Sequence, residues 1–324
     1  VIAERTVSCG RLLVMLPAHV MCTPAPGRGC GTMRTMDPVL RPRRSVLFMP
    51  GANQRALEKA KSLPCDGIII DLEDAVAPDA KVAARNNAVA AVESRSYGYR
   101  EVVVRVNGMD TPWYADDLAA AVAARPDGIA VPKVNSAEQV RQIAADLDAA
   151  GADPQLAIWA MIETPQAVLD AREIAQASER LAVLVMGTND LVKELHSRHV
   201  LGRAPLTTAL QLCVLAARAA GVVILDGVYN DVRDAEGFAA QVNEAVLMGF
   251  DGKTLIHPSQ VAPANDGFAP SPAEVEDARA LIAAWQEGNG GVATYRGRMI
   301  EQLHVDEAER ALAMADAIAG RDQG

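Results

Sequence analysis

The stretch "DGIIIDLEDAV" (residues 66–76) places a run of β-branched apolar residues directly before a cluster of acids. "GIIID" is typical of a strand buried on both faces, as in a parallel sheet covered by helices. Asp71, Glu73 and Asp74 follow where that strand ends. Solvated loop acids are one interpretation of the cluster, and a functional site is the other.

Short runs of the same kind recur along the chain, separated by Ala-rich segments with helical spacing. The other seven are "SVLFMP" (45–50), "VVVRVN" (102–107), "GIAVPKV" (128–134), "LAIWAMIE" (156–163), "LAVLVMG" (181–187), "VVILDG" (222–227) and "KTLIHP" (253–258). Their starts are about 30 residues apart, the length of a βα unit. Eight such repeats predict an α/β fold, a (β/α)₈ TIM barrel. An open doubly wound sheet is the alternative, but no Gly-rich phosphate fingerprint follows the first run.

The ends of the chain differ from its middle, which suggests three regions. Residues 41–262 carry the repeats and are predicted to form the barrel. Residues 263–324 hold a Pro-rich loop and further helical segments, predicted to form a C-terminal extension that acts as a lid or reaches a neighbouring subunit. Residues 1–40 have no sustained period and hold three of the five cysteines, so we expect a disordered or non-native extension there.

Composition excludes several classes of function. The formal net charge of the 324 residues is −10, and a chain this acidic lacks the general field that nucleic acid or an anionic membrane requires. No apolar run reaches the roughly 18 residues needed to span a bilayer. The cysteines are odd in number and not spaced as metal ligands, which favours a reduced, cytoplasmic protein.

Charged residues collect at one end of the predicted barrel. Active residues of such barrels lie at the C-terminal ends of the strands, so we examined the last positions of each run and the loop after it. Those positions hold Asp71, Glu73, Asp74, Arg105, Asn107, Lys133, Glu163, Asp190, Asp226 and His257. The acids of the opening stretch therefore belong to a candidate site.

Glu163 and Asp190 are the candidate metal ligands. They follow adjacent predicted strands, which lie about 4.8 Å apart, so both carboxylates can reach one small cation. Oxygen ligands with open positions suit Mg²⁺, with Mn²⁺ as a substitute, whereas zinc is disfavoured by the scarcity of Cys and His at this rim. The alternatives are a helix N-terminal acid for Glu163 and a helix N-cap for Asp190.

Arg105 is a charge inside the otherwise apolar run "VVVRVN". A buried Arg is costly unless it is paired. A structural salt bridge to Asp71 or Asp74 is one interpretation. A fork for the carboxylate of a small oxo acid is the other, and the two are compatible.

Five ordered motifs resemble the malyl-CoA lyase, or citrate lyase β-subunit-like, family. They are "RSVLFMPGANQRALEKA", "DGIIIDLEDAVAPDAKVAAR", "VVVRVNG", "WAMIETPQAV" and "GTNDL". The resemblance covers residues 40–320 and implies a Mg²⁺-dependent carbon–carbon lyase. Such an enzyme cleaves a 3-hydroxyacyl-CoA such as malyl-CoA or citramalyl-CoA into acetyl-CoA (or propionyl-CoA) and a 2-oxo acid. It also implies a homotrimer or hexamer.

The resemblance assigns roles to further residues. Glu163 and Asp190 match the metal ligands, Arg105 the arginine that binds the substrate carboxylate, and Glu73 and Asp74 an acidic pair at the substrate. Gly187 and Thr188 of "GTNDL" are expected to line the substrate site. The positions implied for the CoA phosphates are Asn53, Lys59, Lys81 and Arg85.

One departure from the family pattern concerns the predicted acid/base. Many members carry Asp in a C-terminal "G-x-M-I-D" motif, thought to reach in from a neighbouring subunit, whereas "GRMIEQLH" places Glu301 there. The extra methylene moves the carboxylate by about an ångström, and a misplacement of that size can change a rate by about two orders of magnitude. The substitution leaves open which substrate, and which reaction, the chain supports.

Rival functions use the same residues. A malyl-CoA thioesterase would need the same metal and carboxylate clamp, with water activated by Glu301 or Asp74. A CoA-free aldolase for hydroxy-oxo acids, a carrier-dependent citryl lyase subunit of a citrate lyase complex, and a pure binding module are the remaining alternatives.

Overall fold

Eight parallel strands close into a barrel in chain order, as the sequence predicts. The computed structural model describes residues 41–288 and 293–323, so the predicted N-terminal extension lies outside the described residues. The strands are β1 (Ser45–Pro50), β2 (Gly67–Asp71), β3 (Glu101–Arg105), β4 (Gly128–Val131), β5 (Ala157–Ile162), β6 (Leu181–Met186), β7 (Val223–Asp226) and β8 (Gly252–Leu255). Each strand begins within one residue of the start of a run identified in the sequence. Strand β1 pairs with β8 to close the barrel.

Helices cover the outside of the barrel between successive strands. They are α1 (Gln54–Ala60), α2 (Lys81–Glu93), α3 (Tyr114–Ala124), α4 (Ala137–Ala149), α5 (Pro165–Leu169), α6 (Ala171–Ala175), α7 (Thr188–Glu194), α8 (Thr207–Ala220) and α9 (Ala235–Met248). The caps explain where several begin: Asn53 accepts a hydrogen bond from the Ala56 N–H (3.1 Å), and Ser136 caps α4. Short 3₁₀ turns span Pro78–Ala80, Leu201–Leu206 and Pro258–Gln260.

The barrel has two apolar layers. Outward-facing residues such as Ile68 and Ile70 pack against the helices, while inward-facing residues such as Ile69 fill the interior. Towards the N-terminal ends of the strands, the interior holds Trp159, which is fully buried with the guanidinium of Arg43 5.6 Å from its ring centre. The interior at this end is therefore a packed core.

The C-terminal region begins by completing the barrel. Helix α10 (Val261–Phe268) packs on β1 and β8, so it occupies the place of the eighth barrel helix and spans the predicted boundary at residue 262. Beyond it lie α11 (Pro272–Glu287), the two-stranded hairpin of β9 (Ala293–Tyr295) and β10 (Arg298–Ile300), α12 (Gln302–Ala319) and a final 3₁₀ turn (Gly320–Gln323).

The last helix is anchored at the N-terminal end of the barrel. Arg310 donates to Asp251 (3.0 Å), just before β8. Arg321 donates to the Pro42 carbonyl (2.6 Å) and pairs with Asp66, just before β2. These contacts lie at the end opposite the predicted active site, so a lid over the chain's own mouth has no support from the described contacts. The lid remains a prediction.

Candidate active site

A cavity of about 330 Å³ opens at the C-terminal end of the barrel. Its wall is formed by Phe48, Asp71, Asp74, Ala75, Arg105, Met161, Glu163, Val185, Met186, Gly187, Thr188, Asn189, Asp190, Val228, Thr254 and Ile256. The wall combines five charged residues, Asp71, Asp74, Arg105, Glu163 and Asp190, with apolar residues such as Phe48, Met161 and Val185. This arrangement suits a small anionic acyl group.

Asp71 shapes the loop that follows β2. One of its carboxylate oxygens accepts from the Glu73 N–H (2.8 Å) and the other from the Ala75 N–H (3.1 Å). The same carboxylate accepts two hydrogen bonds from Arg105, at 2.7 and 2.6 Å. The loop acids are therefore held in place by a buried side chain of the strand itself.

Arg105 is part of a buried charge cluster. Its Nη1 lies 2.8 Å from Glu73 Oε2 and 3.9 Å from Asp74, and its guanidinium lies 4.9 Å from the centre of the Phe48 ring. Burial disfavours the charge, but Asp71 with its neighbouring acids outweighs burial and raises the pKa of Arg105. The predicted salt bridge to Asp71 is confirmed. The role as a fork for a substrate carboxylate remains a prediction, compatible with the position of Arg105 in the cavity wall.

Glu163 is 2% exposed and lies at the end of β5. Its Oε1 accepts from the backbone N–H of Lys133 (2.6 Å), and its other oxygen lies against Gly187. Burial, together with the charges of Glu73 and Asp190, raises the pKa of Glu163 to about 7. The charges of Glu73 and Asp190 thus disfavour ionisation of Glu163, an effect that a bound cation would offset.

Asp190 lies in the first turn of α7 and lines the same cavity as Glu163. The alternative that Asp190 is the N-cap of this helix is wrong, because Gly187 occupies that position. The N-cap of α5 is Thr164, whose hydroxyl accepts from the Ala167 N–H (3.1 Å), and Glu163 directly precedes this cap, as its alternative interpretation supposed. Both carboxylates thus line one cavity, and their role as metal ligands remains a prediction.

The donor set fits a hard divalent cation. Glu163 and Asp190 offer only oxygen, and a Cβ at residue 187 would overlap the Glu163 carboxylate, so glycine leaves the space that this side chain needs. In the described part of the chain, no group of three or more His, Cys, Asp or Glu side chains suits a metal ion. A cation here would therefore keep positions for water or substrate, as Mg²⁺ commonly does.

Lys81, one of the predicted CoA contacts, is engaged in contacts within the protein. The ammonium of Lys81, a residue only 5% exposed, donates to the Leu72 and Glu73 carbonyls (2.7 and 2.8 Å) and to Asn107 (2.6 Å). Its three donors are used, which leaves none for a phosphate. Lys81 instead fixes the loop that carries Glu73 and Asp74, a role that depends on tertiary contacts invisible in the sequence.

The other predicted CoA residues differ in availability. Arg85 pairs with Asp117 (2.6 Å), which is fully buried, and with Asp116 (3.3 Å). Asn53 and Lys59 are exposed near the start and end of α1. Lys81 and Arg85 are engaged in other contacts and Asn53 carries no charge, so Lys59 is the most available of the four for a phosphate.

Glu301 does not belong to the cavity in the described chain. It is exposed at the start of α12, and its backbone N–H donates to His304 Nδ1 (3.0 Å). The predicted acid/base role would therefore need a second subunit, as the sequence analysis anticipated. His257 has a structural role, because its Nδ1 accepts from the Ser259 N–H (3.2 Å) at the start of a 3₁₀ turn.

Comparison with known families identifies the family of this chain. The family model described as HpcH/HpaI aldolase/citrate lyase matches residues 44–258, which include every strand of the barrel and both candidate metal ligands. The chain belongs to this family. Its members among the relatives below are named as lyases and thioesterases.

Three relatives of known name are similar in sequence to this chain. A (3S)-malyl-CoA thioesterase of Cereibacter sphaeroides is 51% identical over 281 residues, 86% of this chain and 96% of the relative. The citrate lyase subunit beta of Escherichia coli is 35% identical, over 87% of this chain and 96% of the relative. The L-malyl-CoA/beta-methylmalyl-CoA lyase of Cereibacter sphaeroides is 34% identical, over 87% and 97%.

The structures agree with the fold. CitE from Mycobacterium tuberculosis, crystallised with magnesium, acetoacetate and coenzyme A, has a TM-score of 0.70 at 31% identity, covering 84% of this chain and 97% of CitE. A citrate lyase from Burkholderia xenovorans has a TM-score of 0.76 at 20% identity, over 85% and 92%, a likeness of fold alone. In the described residues, no helix combines the length and apolar character needed to cross a membrane.

Proposed function

We propose that the protein is a Mg²⁺-dependent thioesterase that hydrolyses a malyl-CoA-type thioester to a hydroxy acid and free CoA. The observation that carries this proposal is the 51% identity to (3S)-malyl-CoA thioesterase along almost the whole relative, against 34% for the malyl-CoA lyase. The cavity supports it, since its wall carries two carboxylates that can hold a cation and an arginine suited to a substrate carboxylate.

Each charged residue has a task in this proposal. Glu163 and Asp190 would hold Mg²⁺, which when bound would supply Lewis-acid polarisation of a substrate oxygen. Arg105 binds the terminal carboxylate of the acyl group, held in position by Asp71. Gly187 and Thr188 line the same wall, and the exposed Lys59 attracts a CoA phosphate.

Asp74 is the proposed general base of the hydrolysis. Its side chain is 64% exposed, it lines the cavity, and it lies beside Arg105. It would take a proton from water as the water oxygen attacks the thioester carbonyl. The C–S bond then breaks, and the CoA sulfur receives a proton to leave as the thiol.

A carbon–carbon lyase is the second candidate. The 34–35% identities to malyl-CoA and citrate lyases favour it, and the same cavity serves both reactions. In this case a base such as Glu301 removes the hydroxyl proton. The C–C bond breaks to an oxo acid and a thioester enolate, which is then protonated. A carrier-dependent citryl lyase subunit is a variant of this candidate, and a homotrimer or hexamer is proposed for either.

One assay distinguishes these reactions. Purified protein is incubated with MgCl₂ and (3S)-malyl-CoA, and free thiol, malate, acetyl-CoA and glyoxylate are followed together. Hydrolysis gives equal amounts of thiol and malate, whereas cleavage gives acetyl-CoA and glyoxylate without thiol. EDTA is the control for the metal, and Mn²⁺ is tested as a substitute. No turnover of malyl-CoA or citramalyl-CoA would contradict both candidates, and co-purification with an acyl carrier protein would favour the citryl lyase subunit.

A further inference from the structure

Lys133 has an unusual backbone conformation beside the candidate site. It follows β4 with φ of +53°, in the left-handed region that glycine adopts freely and other residues seldom occupy. Such a conformation costs a lysine about 1–2 kcal/mol. A glycine would avoid that cost, so the side chain and the conformation of Lys133 both need an explanation.

The conformation directs the backbone towards Glu163. The Lys133 N–H donates to Glu163 Oε1 at 2.6 Å, a short bond to a carboxylate. The other Glu163 oxygen is left against Gly187, on the side of the cavity that also holds Asp190. The backbone of residue 133 therefore determines which oxygen of Glu163 is available for a cation.

The side chain acts on a different carboxylate. Lys133 Nζ donates to Glu73 Oε1 at 3.0 Å, and Glu73 Oε2 lies 2.8 Å from Arg105 Nη1. That Oε2 atom is buried and has no hydrogen bond among the described residues, so the charges on either side hold it in place. Lys133 thus connects the candidate metal ligand to the candidate carboxylate-binding arginine.

We propose that Lys133 is a positioning residue with two separable actions. Its left-handed backbone orients the Glu163 carboxylate for the cation, and its ammonium holds Glu73 against Arg105 for binding of the acyl carboxylate. The inference rests on the proposed function and deepens it. It explains why lysine occupies the position, because glycine would supply the conformation without the charge.

Two variants separate the actions. Lys133→Asn and Lys133→Val both remove the ammonium, but Asn tolerates positive φ whereas a β-branched Val does not. Calorimetric titration with MgCl₂ alone should give Lys133→Asn a Kd within about threefold of the parent, and Lys133→Val a Kd at least about tenfold weaker, the range found for groups that orient metal ligands. Urea unfolding establishes that each variant is folded.

Steady-state kinetics with malyl-CoA test the ammonium. At saturating MgCl₂, Lys133→Asn should raise KM by up to about fivefold with kcat less affected, since substrate binding is what this half-exposed ammonium supports. Lys133→Arg keeps the positive charge and should therefore keep KM close to that of the parent.

Each outcome bears on one claim. Equal Mg²⁺ affinity for Lys133→Asn and Lys133→Val would overturn the backbone action, and an unchanged KM for Lys133→Asn would overturn that of the ammonium. A parent that binds no Mg²⁺ would overturn the proposed function together with this inference, whereas a binding parent with indistinguishable variants overturns the inference alone.

Discussion

Replacing Glu163 with glutamine should stabilise the metal-free protein while abolishing its response to Mg²⁺. Burial and the nearby acids raise the pKa of Glu163 from an ordinary value of 4.5 to about 7. Because a tenfold change in an acid dissociation constant corresponds to about 1.4 kcal/mol, ionised Glu163 costs the fold about 3 kcal/mol at pH 8. Glutamine is neutral and keeps an oxygen for the Lys133 N–H, so it removes this cost.

The pH dependence has a defined sign. The folded pKa lies above the unfolded one, so the folded state binds the proton more tightly, and stability falls as pH rises from 4.5 to 7. The advantage of Glu163→Gln should therefore be about 3 kcal/mol at pH 8 and about 1.4 kcal/mol at pH 5.5.

Urea unfolding in EDTA at both pH values measures this difference. Glu173→Gln, at an exposed position on α6, is the matched control and should change the unfolding free energy by less than about 0.5 kcal/mol. Adding MgCl₂ at pH 8 should stabilise the parent and leave Glu163→Gln unchanged. If Glu163→Gln were no more stable than the parent at pH 8 in EDTA, the electrostatic account of the site would be refuted.

Three further changes test other parts of the site. Gly187→Ala should weaken Mg²⁺ binding by about tenfold or more in calorimetry, because its Cβ overlaps the Glu163 carboxylate, while Gly320→Ala, in open space, should not. Lys81→Met should lower the unfolding free energy in urea by about 1–3 kcal/mol, since the side-chain oxygen of Asn107 loses its donor, whereas the Leu72 and Glu73 carbonyls each keep another one. Lys59→Ala should weaken CoA binding severalfold, by up to about 1 kcal/mol for an exposed charge, and most clearly at low salt; unchanged CoA affinity would remove Lys59 from the site.

The strands could be predicted from sequence because each strand of a parallel barrel is a short segment with a recognisable composition. A strand covered on one face by helices and on the other by the barrel interior must be apolar throughout, which gives runs such as "GIIID" a clear signal. The rule that strand ends converge then brings Glu163 and Asp190 together without further information.

The supporting contacts could not be predicted, because they join residues far apart in the chain. The family resemblance implies a CoA phosphate for Lys81, but its ammonium is buried under the loop after β2. Similarly, nothing local indicates that α12 is anchored beneath the barrel through Arg321.

Trp159 gives this protein an internal optical reporter. Of its three tryptophans, Trp159 is fully buried in the barrel interior, while Trp113 and Trp285 are half-buried at the periphery. Its fluorescence should be emitted at short wavelength while the strands remain closed around it. Opening of the barrel would admit water to Trp159 and shift its emission to longer wavelength. Changes confined to the rim at the C-terminal ends of the strands would leave the Trp159 emission in place.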